Sequence, residues 1–248
     1  MRMLRFTGFS LLEYMRSGRI LVEVIAVVLV YTIFFRRPID AEYFFTVAGI
    51  FTPVLTLYTM SAFIGLGDRP QSYLLLARGL GRASFLLGLF IGAWSVVAAS
   101  YGLLALGVAI LNRAPDLGLG GWILGTMPLL LNIGLLAALM TMLSPLVFVT
   151  SWRLVVLGLI AFAFSSNFIG GQFLAALPDS LRALLRAMQA ILGGPLVPAF
   201  YGFQLAVTRD YSTPTAVANL LAQGSLLLAL LGLALYAFMR RDLIFSLS

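Results

Sequence analysis

Long apolar runs, separated by short polar interruptions, fill this chain. They cover residues 20–35, 41–66, 83–111, 122–150, 154–173 and 216–239. A helix needs about 20 predominantly apolar residues to cross a bilayer, and fewer when neighbours thin the membrane or the flanks snorkel. The first run is short, is interrupted by Glu23 and stops at Arg36-Arg37-Pro38. Pro53 lies inside the second run; Pro128, Asn132 and Pro145 lie inside the fourth. Buried spans tolerate such prolines, because packed neighbours re-satisfy the freed carbonyls. The pattern predicts an all-α polytopic membrane protein with six transmembrane helices, in a single domain spanning residues 1–248.

Three polar stretches do not fit a simple turn. Residues 1–19 place Leu4, Leu11, Leu12 and Met15 near one helical face, and Thr7, Ser10, Glu13 and Arg16 near the other. Such a helix lies in the membrane interface. Residues 68–82 set Asp68, Arg69, Gln71, Ser72, Arg78 and Arg82 around an apolar centre, in a loop longer than reversal of the chain demands. A short amphipathic helix at the membrane surface, pressed by a partner protein, accounts for that length. Residues 174–215 hold a stripe of Leu181, Leu184, Leu185, Met188 and Leu192 with Arg182, Arg186 and Gln189 opposite. Gly193-Gly194-Pro195 then stops the helix, and an aromatic piece follows over 196–207. We read these as two half-buried hairpin helices on the outer face; a single tilted extra span is the alternative.

Composition narrows the chemistry. The 248 residues are 61% hydrophobic and 10% charged, against about 25% charged in soluble domains. There is no Cys and no His, which removes disulfides, thiolate nucleophiles, imidazole bases and the common zinc ligands. All 16 basic residues are Arg. A Walker A phosphate loop needs Lys, so this chain cannot carry a standard one and any ATP use must come from another subunit. The net charge of +7 reads as topogenic flanks rather than as nucleic-acid binding. With six spans and the N-terminus inside, ten Arg fall on the inner side and six on the outer. Both termini and the 68–82 loop are then cytoplasmic, and 174–215 is external.

The run Leu75-Leu76-Ala77-Arg78-Gly79-Leu80-Gly81-Arg82-Ala83-Ser84-Phe85-Leu86-Leu87-Gly88 resembles the cytoplasmic loop of type-2 ABC transporter permeases, which often reads LL-x-TPVSR-x-x-ILLGK. Arg82 falls on the family's Arg, and Leu86-Leu87-Gly88 on its LLG; Gly79 stands where Pro is usual and Leu89 where Lys is usual. The ending Phe238-Met239-Arg240-Arg241-Asp242-Leu243 and the amphipathic start are also similar to the family's final helix and elbow helix. The resemblance implies a permease of an ATP-driven exporter in the inner membrane of a prokaryote. It also implies a dimer with a second copy or a paralogue, and separate nucleotide-binding subunits carrying ATP and Mg. The cargo is expected to be lipid-like or amphipathic, since the interior carries few charges. No cofactor and no catalytic residue is expected in this chain. A membrane-embedded lipid-modifying enzyme and a stand-alone secondary transporter are the alternatives.

The candidate contacts to the ATPase subunit are Asp68, Arg69, Ser72, Tyr73, Arg78, Gly81 and Arg82. Asn132, Asn167 and Gln172 are candidates for the pathway or the dimer axis. For Asn132 an interhelical hydrogen bond is the competing reading, and for the other two an interfacial position. Glu23 reads as a helix-surface partner of Arg19, four residues earlier, with a cation or proton site as the other reading. Gly65, Gly88, Gly92, Gly102 and Gly107 read as points of close helix packing.

Overall fold

The computed structural model describes residues 2–69, 80–112, 114–148, 152–158, 179–208 and 213–240. The regular secondary structure there is all helical. Its long helices are α1 (Arg2–Arg16), α2 (Arg19–Phe34), α3 (Ala41–Gly67), α4 (Arg82–Leu111), α5 (Leu119–Met142), α6 (Asp179–Thr208) and α7 (Pro214–Arg240). Four of them, α3, α4, α5 and α7, are long and apolar enough to cross a membrane. The count is five if α1 and α2, bent by 72° to each other, make one broken span.

The bend has a local cause. Ser17 and Gly18 close α1 with N–H bonds to Glu13 and Met15 carbonyls, at 2.9 and 3.1 Å. Gly18 then takes φ 74°, the left-handed region that glycine enters without a Cβ clash. Leu21 donates back to the Gly18 carbonyl at 3.1 Å, and α2 starts on a new axis. At the other end of α2, Phe35 is fully buried and Pro38 forbids further helix. Asp40 then caps α3, accepting from the Tyr43 N–H at 3.0 Å.

Packing is organised in layers along the helices. One layer gathers Phe6, Tyr14, Met60, Phe63, Phe85, Phe90, Met142 and Phe238. The opposite layer gathers Phe35, Phe44, Phe45, Tyr101, Val108 and Leu129. Leu55, Val97 and Ile133 lie between them. α1 packs on α4, where its Phe6 ring sits above Gly88: a Cβ on that glycine would lie 2.5 Å from Phe6. Gly92 meets Phe63 in the same way, with a Cβ position 2.7 Å away. Gly65 and Gly102, in contrast, face open space, so close packing does not explain them.

Phe6 contacts Phe85 and Phe85 contacts Phe238, with centroids 5.0 and 6.1 Å apart. The first helix, the start of α4 and the end of α7 therefore share one end of the bundle. Arg5, Arg16, Arg19, Arg69, Arg82 and Arg240 belong to helix ends on that side, and Arg36 and Arg37 to the opposite side. We call the first the arginine-rich end.

Two expectations need correction. The helix expected over 122–150 runs from Leu119 to Met142, and turns follow it, with Ser144 N–H bonded to the Thr141 carbonyl at 3.2 Å. Pro145 is thus outside the helix. More consequentially, the break expected at Gly193-Gly194-Pro195 does not occur. α6 is one helix of 30 residues, about 45 Å at 1.5 Å per residue. It packs along α7, α5 and α3, and Val207 near its end joins the far layer. α7 starts at Pro214 and returns to the arginine-rich end, where its Phe238 joins the first layer. α6 therefore runs antiparallel to α7, and its Arg182 and Arg186 turns lie toward the arginine-rich end. Neighbouring helices supply what the Gly-Gly-Pro sequence lacks, as packed bundles do for breakers in spans. Of the run expected at 154–173, residues 154–158 are helical and the remainder lies outside the described residues.

Candidate functional site

Three polar constellations interrupt the apolar packing. The first is at the arginine-rich end. Asp68 ends α3, its N–H bonded to the Ile64 carbonyl at 2.9 Å. Arg69 reaches Glu13 of α1 at 2.8 Å, an exposed pair. Gly81 opens α4, its carbonyl accepting from Phe85 N–H at 3.0 Å. Arg82 donates to the Met239 carbonyl at the end of α7, at 2.9 Å. The two ends of the 68–82 loop are thus tied to the first and the last helix respectively. An exposed ion pair contributes about 0.2–1 kcal/mol, so these contacts set register more than stability. Ser72, Tyr73 and Arg78 lie outside the described residues.

The second constellation centres on Glu23. Its carboxyl is fully buried, which overturns the surface pairing with Arg19. Arg19 turns instead to the Ala62 carbonyl at 3.0 Å, where it satisfies a group near the end of α3. Glu23 Oε1 accepts from the Tyr14 hydroxyl at 2.6 Å and from Thr59 at 2.5 Å; Oε2 faces Ser100 at 3.4 Å. One carboxyl thereby joins α1, α2, α3 and α4. Burial first, and then the neighbouring Glu23, push the Tyr14 phenol up from its ordinary value, which keeps it a donor. Among the described residues no group of three or more acids forms a metal cage. Glu23 supplies one carboxylate within a shell of hydroxyls.

The third is the pair Asn132 and Gln223, on α5 and α7. Both are buried, and the Gln223 amide N–H donates to Asn132 Oδ1. The interhelical bond proposed for Asn132 is therefore present. Asn132 Nδ2 and Gln223 Oε1 have no hydrogen-bond partner, so the pair keeps one donor and one acceptor in reserve. Asn167 and Gln172 lie outside the described residues. Gln223 is absent from the sequence candidates, although it and Asn219 are the two amide side chains of the run 216–239. Tyr14, Thr59 and Ser100 carry no sequence signal at all; their relation to Glu23 appears when four helices converge.

Comparison with protein-family models, with curated proteins and with solved structures finds no match.

Proposed function

We propose that this chain is the transmembrane subunit of an ATP-driven ABC exporter. It works as a dimer, with a second copy or a paralogue, on separate nucleotide-binding subunits that carry ATP and Mg. α1 is the elbow helix at the interface, the segment 68–82 is the coupling loop, and the arginine-rich end is cytoplasmic in a prokaryotic inner membrane. In this reading α2 and α6 join α3, α4, α5 and α7 as crossings, which gives six spans with both termini inside. The observation that carries the reading is the tying of the loop's two ends to Glu13 and Met239. A push on that loop would reach the first and last helices together, as rigid-body coupling requires. The exposed apolar faces of α2, α4 and α7 support a lipid setting, and the low interior charge supports a lipid-like or amphipathic cargo.

The test is co-purification from native membranes with an ATPase subunit, followed by Arg78→Glu. The variant should insert and assemble but lose stimulation of the ATPase by cargo. Normal coupling in the variant removes the loop assignment. A second reading, a stand-alone secondary transporter, draws on the buried Glu23, since intramembrane acids often bind a proton or cation. Transport that persists without any ATPase and follows an ion gradient would select it.

A further inference from the structure

The turn between α2 and α3 encloses a groove of about 730 Å³ at the end opposite the arginine-rich one. Its sequence is Phe35-Arg36-Arg37-Pro38-Ile39-Asp40. Phe35 and Ile39 are buried at 0% and 8% exposure, so both flanks of the turn are pinned. The Phe35 ring packs on Phe44 with centroids 5.6 Å apart. The Phe35 carbonyl accepts from the side chain of Asn112, which also reaches the Tyr31 hydroxyl at 3.4 Å. Between these anchors Arg36 and Arg37 project, both exposed.

The groove's electrostatics are simple. Among the described residues neither guanidinium meets a carboxylate within ion-pair distance. Asp40 lines the groove, but its carboxylate accepts from the Tyr43 N–H at 3.0 Å. Asp116 covers the next amide, accepting from Ala41 N–H at 3.1 Å. The α3 N-terminus is therefore already filled by carboxylates, and the two guanidiniums are the groups that face an incoming anion. Two Arg and one Asp leave the lining with a net charge of +1. The rim is apolar: Ile33, Phe34 and Tyr43 are 67%, 42% and 41% exposed.

We propose that this groove binds the phosphodiester headgroup of an anionic membrane lipid. Arg36 and Arg37 hold the phosphate, since the guanidinium fork matches its oxygens. Ile33 and Phe34 take the first part of the acyl chains, and Tyr43 sits at the level where amphipathic rings collect. A free phosphate would gain nothing from that rim. The inference rests on the groove alone and is independent of the transport reading.

The experiment is native mass spectrometry of the full chain in mild detergent with added phosphatidylglycerol. The wild type should retain a bound lipid, and Arg36→Gln with Arg37→Gln should weaken retention at least about tenfold, the scale of one lost charge-assisted contact. The Arg36→Lys, Arg37→Lys pair should keep it, and the Arg5→Gln, Arg16→Gln pair at the other end should leave it unchanged. A photoactivatable phosphatidylglycerol should also cross-link the unaltered chain within residues 32–43, a readout that needs no variant to fold. Unchanged retention in the glutamine pair, equal loss in the Arg5/Arg16 control, or cross-links elsewhere would overturn the proposal. Displacement by inorganic phosphate would overturn the lipid assignment, because it identifies a free-anion site.

Discussion

At the scale of single residues, Glu23 is the position where elementary physics argues hardest. A buried carboxyl survives in an apolar bundle when its oxygens are hydrogen-bonded, and here three hydroxyls surround it. Tyr14→Phe removes one donor and should cost about 1 kcal/mol, read as easier proteolytic release of α1. Glu23→Leu strands three hydroxyls and should cost about 1–3 kcal/mol for each that finds no water. Glu23→Gln keeps the shape and should be milder; equal damage from Gln and Leu would show that size, not hydrogen bonding, matters there. Tyr14 also gives a pH prediction. Its folded pKa is raised, so its contribution is complete below the ordinary tyrosine value of about 10 and is lost as pH rises above it. α1 should loosen at alkaline pH in the wild type, while Tyr14→Phe should show no matching step. Sequence spacing alone favours the Arg19–Glu23 pair, because four residues apart is a helical neighbour. What it omits is the third dimension: Arg19 finds a carbonyl on α3, and Glu23 finds hydroxyls on three other helices.

Helices and their seams form the next scale. The run boundaries for α2, α3, α4 and α7 are legible in the chain, because apolar length and an Arg, Pro or Asp stop coincide at their ends. α6 is not legible. Gly193-Gly194-Pro195 is a strong local stop, yet tertiary packing on α5 and α7 overrides it. The polarity of its first turns also hides it from any count of apolar residues. The amphipathic start is legible as a helix. Its outcome is clear by exposure: Leu4, Leu12 and Met15 are exposed, and Thr7 and Ser10 are buried against the bundle. Gly88 is the seam under α1. Gly88→Leu should push Phe6 away and cost about 1–3 kcal/mol as overpacking, visible as loss of α1 protection in hydrogen exchange. Gly102→Leu, at an open position, should leave the same readout unchanged. The seam between α5 and α7 predicts that Asn132→Ala weakens their association by about 0.6–2 kcal/mol, measured as a shift in thermal unfolding.

For the whole molecule, the proposed function requires that the arginine-rich end face the cytoplasm and meet a partner ATPase there. The first requirement is separable. Because the chain has no Cys, single cysteines report topology cleanly. A Cys replacing Arg36 should react with an impermeant thiol reagent in intact cells, and one replacing Arg186 should react after lysis. Labelling of the Arg186 position in intact cells would contradict the proposed crossing by α6. The proposed dimer leaves no mark in the geometry of one chain, because a face against lipid and a face against a second copy are both apolar. Its expected markers, Asn167 and Gln172, are best tested by oxidative cross-linking of cysteines placed there. The most direct measurement remains the purification of the full chain from its native membrane in mild detergent, with ATP hydrolysis followed through each step. The account predicts a complex in which an ATPase subunit co-elutes in fixed ratio, its hydrolysis lowered by Arg78→Glu in the permease. A chain that purifies without any ATPase, and moves its cargo on an ion gradient alone, would contradict it.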